Sequence, residues 1–317
     1  MTADGKLPVA LVTGFLGSGK TTLIASLLGH PAMGETAVIV NEIGEIGIDH
    51  HLLRRVDERT VLLKSGCVCC TLRGDLADEL RDLLSRRERG EIPAFDRVVV
   101  ETTGLADPAP VVYTLLSEPV VKHHYELQSV VTTVDAQHGL SREESFRQAA
   151  AADTLVVTKT DVAPASALAR QLARLNPAAR VLEASFGAVE PDVLLAPVDH
   201  RPEPSMPDSH ADHSHGDVTA VTVELDGPID WTAFGIWLTM LLQARGSEIY
   251  RVKGLLDVGA AGPLLLNGVQ HVVHPPVHLD AWPDDDRGSR IVFIGLHLER
   301  DELARSLAAF DRAARNP

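Results

Sequence analysis

The chain has 317 residues, 45% of them hydrophobic, with a formal net charge of −15; at the usual ~100–200 residues per domain that is enough for two domains. The acidic balance argues against nucleic acid or an anionic membrane as a partner, because both favour basic surfaces. No run of about 18 apolar residues predicts a membrane span, and the Met-Thr-Ala-Asp-Gly-Lys opening lacks a signal-peptide pattern, so a soluble cytoplasmic protein is expected.

In chain order, residues 9–13 are a short apolar run that predicts a buried strand, followed by GFLGSGKT at residues 14–21. The octet fits G-x-x-x-x-G-K-[ST] in the strand-to-helix context this motif requires, with Leu23, Leu27 and Leu28 on one side of a helix expected over residues 22–28. The glycines, Gly14, Gly17 and Gly19, let the loop point backbone N–H groups inward around phosphates, beside the positive end of the helix dipole. Lys20 is expected on the β- and γ-phosphates and the Thr21 hydroxyl on Mg2+.

A second strand is expected at residues 37–40, and the loop after it, NEIGEIGID at residues 41–49, holds three acids and two glycines. Strand C-terminal ends form the ligand crevice of a parallel α/β sheet, so this loop is placed to sense a γ-phosphate or hold a cation; a solvated acidic turn is the plainer reading. A third strand at residues 61–63 turns at Ser65-Gly66 into Cys67-Val68-Cys69-Cys70, which contains all three cysteines of the chain. Leu72, Leu76, Leu80, Leu83 and Leu84 then repeat at helical spacing through residues 73–89. Thiols at a strand end just before a helix have a lowered pKa and favour a metal. Two or three thiolates do not fill a tetrahedral zinc sphere. The remaining ligand stays open between Glu42, Glu45, a histidine, water and a partner protein, and such an incomplete site suits an ion that moves on.

Residues 95–101 are an apolar strand ending in Glu101, followed by Thr102-Thr103-Gly104. An acid at this strand end can hold Mg2+ through its water shell, and Gly104 permits close backbone approach to the γ-phosphate. Asp107-Pro108 opens the next helix. Residues 127–134 form a further strand ending at Asp135, and Ser141 with Glu144 suggests a capping box. Residues 154–157 deliver Thr158-Lys159-Thr160-Asp161. Asp161 can accept the N1–H and 2-amino protons of guanine while the Lys159 stem covers the base, which selects GTP over ATP. Thr158 stands where Asn is usual and offers a hydroxyl in place of an amide. After a strand at residues 181–182, Ala184-Ser185 can supply the last guanine-side loop.

From residue 197 to 217 the composition shifts to Pro, Asp, Glu and His, as expected of a linker; His210, His213 and His215 with Asp208 and Asp212 offer a weak metal site or simply a solvated tract. Beyond it come a strand at 220–225 and a helix whose Trp231, Phe234, Trp237, Leu238 and Leu241 form a core stripe. Strands near 249–255, 264–266, 270–274 and 290–296 and a final helix over 299–314 complete a small α+β unit with one antiparallel sheet. His271, His274, His278 and His297 read as ordinary strand residues. The expected fold class is α/β, a mostly parallel P-loop NTPase sheet with helices on both faces, followed by a smaller α+β domain. The expected boundaries are 1–196, 197–217 and 218–317.

Taken in order, GFLGSGKTT, NEIGEIGID, GCVCC, ETTG and TKTD resemble the CobW family of P-loop GTPases, as do Arg251-Val252-Lys253-Gly254, Ala281-Trp282-Pro283 and RIVFIG at residues 290–295. The resemblance implies a GTP-dependent metallochaperone, with Cys67, Cys69 and Cys70 on a transferred ion, commonly Zn2+. It implies GTP contacts at Gly17, Ser18, Gly19, Lys20, Thr21, Thr22, Thr158, Lys159 and Asp161, and Mg2+ near Thr21 and Glu101. Its partners are a client metalloprotein and, as a further option, a second copy in a homodimer. The same mechanism with Co2+ for cobalamin synthesis, or iron or cobalt for a nitrile-hydratase-like client, is the near alternative; an ATP-dependent small-molecule kinase with structural zinc and a redox-regulated adaptor are the distant ones. No catalytic Gln is placed by these motifs, so slow intrinsic turnover is expected.

Overall fold

The computed structural model describes residues 5–40, 61–64, 74–196 and 218–315. Glu42, the Cys67–Cys70 cluster and the histidine tract at 210–215 lie outside the described residues. The chain divides into two compact units, each with its own sheet.

In the first unit the strands are β1 (Leu7–Gly14), β2 (Thr36–Val40), β3 (Val61–Lys64), β4 (Arg97–Glu101), β5 (Tyr125–Asp135), β6 (Thr154–Thr158) and β7 (Arg180–Glu183). They form one seven-stranded sheet in the order β3-β2-β4-β1-β5-β6-β7, and every pairing is parallel. A parallel sheet covered on both faces demands continuous apolar strands in place of alternation. Val98-Val99-Val100 and Leu155-Val156-Val157 supply them, and every residue of β2 and β6 is buried. The helices between strands are α1 (Lys20–Leu28), α2 (Gly74–Glu88), α3 (Ala109–Ser117), α4 (Pro119–His124), α5 (Glu143–Ala151), α6 (Ser166–Leu175) and α7 (Pro191–Leu195). Leu23, Ile24, Leu27 and Leu28 of α1 pack with Leu194 and Leu195 of α7 on Val12, Val38, Val99, Val131 and Val156 of the sheet.

Of two local expectations at helix starts, one is corrected. Ser141 does not cap α5: the helix begins at Glu143, its N-cap is Arg142 in extended backbone, and no side chain caps it. Glu144 therefore sits one position too early for the reciprocal bond of a capping box. Asp107 does mark the start of α3, its Oδ1 accepting the Ala109 N–H at 2.9 Å.

The second unit contains β8 (Val218–Leu225), α8 (Trp231–Arg245), β9 (Ile249–Leu256), β10 (Leu264–Val269), β11 (Val272–Val273), β12 (Val277–His278), β13 (Ser289–Leu296) and α9 (Arg300–Arg315). The sheet runs β11-β10-β9-β13-β8 with β12 on β10, all antiparallel. Phe234, Trp237, Leu238 and Leu242 of α8 and Leu303 and Leu307 of α9 close over Val223, Val252, Leu266, Ile291 and Phe293. Trp237 is the centre of this layer, edge-on to Phe293 and donating its indole N–H to Ser306 Oγ at 3.0 Å. Trp231, expected in the same stripe, is instead exposed at the first turn of α8 and stacks on Phe234. The strand expected at 270–274 is a hairpin arm reduced to Val272–Val273, because Gln270 takes φ 51° and turns the chain back on β10. Among the described residues no helix is long and apolar enough to cross a membrane.

Candidate functional site

Four loops converge at the C-terminal ends of the adjacent strands β4, β1, β5 and β6, the edge where a parallel α/β sheet presents its ligand crevice. They carry Glu101 to Gly104, Gly14 to Thr21, Asp135 to His138, and Thr158 to Asp161. Residues up to 140 positions apart in sequence thus meet, as Ser18 and Thr158 do.

The loop after β1 is drawn tight before α1 begins. Ser18 N–H donates to Phe15 O at 3.1 Å, and Leu23 N–H to Gly19 O at 2.9 Å. Gly19 is the N-cap of α1 with φ 93°, left-handed backbone that a side chain would strain. Gly14 ends β1 and Gly17 lies in the turn between them. Ser18 is buried and its hydroxyl lies 2.6 Å from Thr133 Oγ1. Lys20, only 9% exposed, folds back so that Nζ donates to Gly14 O at 2.8 Å and Phe15 O at 3.2 Å. An ammonium gathered onto neutral loop carbonyls is a cation that phosphate oxygens, being charged, would take over. Thr22 is exposed on the outer turn.

Thr21 and Glu101 come together. The Thr21 hydroxyl donates to Glu101 Oε1 at 3.0 Å, and Glu101 has no exposed surface. A hydroxyl and a carboxylate at this spacing are hard oxygen donors of the kind Mg2+ takes, so this donor set fits the ion the sequence calls for. Just beyond, Thr102 is tied to β1 by its N–H to Val12 O at 3.0 Å and its hydroxyl to Thr13 Oγ1 at 2.8 Å. Gly104 lies against the backbone of Leu16. Its close approach is thus to the loop itself, which brings the end of β4 and the phosphate cradle into direct contact.

On the other flank, the Thr158 hydroxyl donates to Ser18 O at 2.6 Å. Lys159 adopts φ 57° and its Nζ donates to Asp135 Oδ2 at 2.5 Å. Asp161 is exposed, with the Ser185 hydroxyl 3.4 Å from its Oδ1. Asp135 and His138 had no assigned role in the sequence, although an acid at the end of a buried strand is the same signal that singled out Glu101. Burial opposes the charge on Asp135, but hydrogen bonds from Lys159, His138 and the Gln137 N–H outweigh it and hold the carboxyl below its ordinary value. Gln148, fully buried on α5, was likewise missed. Its amide donates to Gly104 O at 3.2 Å and Ala106 O at 3.0 Å.

The Asp135–Lys159 pair makes a direct prediction. Asp135→Asn should lower GTP affinity by about tenfold, the scale of one charge-assisted hydrogen bond, and narrow the preference for GTP over ATP. Because the native carboxyl is depressed, its stabilising contribution is complete above the unfolded value near 3.9 and declines as pH falls through the folded value. Nucleotide titration of both proteins checks this; unchanged affinity in the variant would remove Asp135 from the site.

Glu42, Cys67, Cys69 and Cys70 lie outside the described residues. Among the described residues no group of three or more His, Cys, Asp or Glu side chains is arranged to hold a metal.

Comparison with known proteins agrees with this architecture. Residues 8–183 match the family described as CobW/HypB/UreG, nucleotide-binding domain, and residues 218–311 match the cobalamin synthesis protein cobW C-terminal domain. The zinc chaperone YjiA of Escherichia coli K12 is 35% identical over 95% of this chain and 98% of its own length. The zinc chaperone CobW of Pseudomonas aeruginosa is 31% identical over 97% of this chain and 92% of its own. The crystal structure of Zn(II)-bound YjiA GTPase superposes with a TM-score of 0.76 at 31% identity, over 96% of this chain and 99% of that one. The chain belongs to the CobW/HypB/UreG family and carries the cobW C-terminal domain behind its nucleotide-binding domain.

Proposed function

We propose that this GTPase metallochaperone carries Zn2+ on Cys67, Cys69 and Cys70, with Glu42 as a further ligand, and passes it to a client metalloprotein as GTP is hydrolysed. The observation that carries the reading is where the metal-bearing segments leave the sheet. Val40 and Lys64 are paired at the C-terminal ends of β2 and β3, on the same edge as the phosphate loop. Glu42 follows Val40 by two residues and Cys67 follows Lys64 by three. A chain advances at most ~3.6 Å per residue, so both ligand types start within short reach of one strand-end pair. Soft thiolates favour zinc over Mg2+, which is left to the hard oxygens of Thr21 and Glu101.

In the reaction, the loop N–H groups and Lys20 hold the β- and γ-phosphates, and Thr158 to Asp161 hold the guanine. Mg2+, when bound, supplies positive charge to the phosphate oxygens. Thr21 and Glu101 would hold it, and Gly104 keeps the end of β4 against the loop, where the γ-phosphate would be sensed. A client or a second copy of the chain supplies groups this site lacks, which keeps intrinsic turnover slow. The protein works in the cytoplasm, with residues 1–196 as the GTPase domain, 197–217 as linker and 218–317 as the C-terminal domain.

The test is competition of the apo-protein with a chromophoric chelator for Zn2+ and Co2+, run with Mg2+ and a non-hydrolysable GTP analogue, with Mg2+ and GDP, and without nucleotide. Zinc affinity should be highest with the GTP analogue and collapse in Cys69→Ala. Binding that ignores the nucleotide would reduce the ion to a structural part and leave the GTPase without a cargo.

A further inference from the structure

The first residue of the tetrad at the end of β6 has a task other than reading the base. Thr158 is 3% exposed. Its hydroxyl carries one proton, and that proton is directed to Ser18 O at 2.6 Å, with Val134 O a distant second acceptor at 3.4 Å. A Cβ built at Gly19 would stand 3.4 Å from Thr158 Cβ, so the side chain lies directly against the turn that opens α1. Ser18 is held from the opposite side by Thr133. The carbonyl of Ser18 is thereby drawn toward β6 and away from the cradle, which suits a loop whose N–H groups must face the phosphates.

This has a consequence for the nucleotide. Guanine N7 is a ring nitrogen that only accepts hydrogen bonds, so recognising it requires a donor. The Thr158 hydroxyl has no second proton to give. Lys159 Nζ is held at the carboxylate of Asp135, at the end of β5, and the Ser185 hydroxyl stands against Asp161 Oδ1, so neither side-chain donor is placed for N7. The exposed carboxylate of Asp161 is an acceptor matched to the opposite edge of the base, its N1–H and 2-amino group.

We propose that Thr158 is a positioning residue that anchors the phosphate loop, and that the site recognises guanine along its N1 and 2-amino edge alone, without reading N7. The proposal rests on the GTPase reading above and adds which part of the substrate is recognised: guanine nucleotides altered at N7 without added bulk are substrates as good as GTP.

The experiment is displacement of a ribose-labelled fluorescent GDP from the full chain by GDP, 7-deaza-GDP, IDP and ADP, in wild type, Thr158→Val and Thr158→Ser. In the wild type, 7-deaza-GDP should compete within about twofold of GDP. IDP, which lacks the 2-amino group, should be weaker by about tenfold, the scale of one hydrogen bond to a charged acceptor. A loss of about fivefold or more for 7-deaza-GDP, the scale of one neutral hydrogen bond, would overturn the proposal. So would IDP matching GDP; ADP matching GDP would in addition sink the guanine reading itself, which keeps the two failures apart. Thr158→Val should weaken GDP and 7-deaza-GDP by the same factor, and Thr158→Ser should restore most of the affinity. The ratio of the two ligands is read within one protein, so a partly destabilised variant still reports it; unequal loss would show that Thr158 touches the base.

Discussion

Replacing Lys20 by alanine should lower GTP hydrolysis by about a thousandfold at saturating GTP, the upper end of what one donor aimed at developing charge contributes. Lys20 earns this expectation from its surroundings. It is the cation folded into the phosphate loop, nearly buried, with Nζ on the carbonyls of Gly14 and Phe15. Those carbonyls are neutral acceptors, which the charged oxygens of a phosphate would outcompete for an ammonium. Alanine at the first position of α1 keeps the helix, being the best helix former, so thermal stability should stay near that of the wild type. Lys20→Arg should not rescue turnover, because a planar guanidinium does not fit a space shaped for a compact ammonium. Phosphate release measured under single-turnover conditions decides the matter. A loss below about tenfold would mean that charge at the γ-phosphate is neutralised from elsewhere.

Much of this edge was legible in the sequence, for a physical reason. A loop that wraps phosphates needs glycine, lysine and threonine at set intervals after a buried strand, so Gly14 to Thr21 announce both their structure and their chemistry. Glu101 and Asp161 were equally visible, each a lone acid delivered by an apolar run. What stayed hidden were side chains whose meaning lies in a partner far along the chain. Asp135 ends a strand as Glu101 does, but only the sheet order, which sets β5 beside β6, reveals that it holds Lys159. Gln148 looked like one polar residue on a helix; its role comes from facing the turn at Gly104. Thr158 could be seen as a departure from the usual Asn, yet its direction, toward Ser18 O, is a property of the folded sheet. In the second unit the periodicities gave a strand, a helix, four further strands and a last helix, while Trp231 and the short β11 departed from them. Those departures sit at a helix start and a hairpin turn, where end effects outweigh periodic patterning.

Gly104→Ala is the second change expected to be severe, and it separates hydrolysis from binding. A methyl group at Gly104 would stand 2.6 Å from Leu16 N and 2.7 Å from Leu16 Cα, both backbone atoms that no rotamer change can move aside. Nor can the turn easily retreat, since Gln148 grips the carbonyls of Gly104 and Ala106 from the side of α5. The clash must therefore push the Leu16 segment out of register with the end of β4, where Glu101 meets Thr21. A misplacement near 1 Å is enough to cost about a hundredfold in rate, so turnover should fall by about that factor. GDP affinity should stay within about threefold, because Thr158 to Asp161 lie on the other flank, Ser18 is tied to Thr133 and Thr158 away from Gly104, and the proposed task of Gly104 is toward the terminal phosphate that GDP lacks. If Gln148 is what prevents relief, then Gln148→Ala should be mildly harmful alone yet recover part of the activity in the Gly104→Ala background, a coupling between neighbours that simple addition would miss. Equal losses of GDP binding and turnover would point to collapse of the whole phosphate loop. Normal turnover in the single variant would mean that the loop yields freely and that contact between Gly104 and Leu16 plays no part in the chemistry.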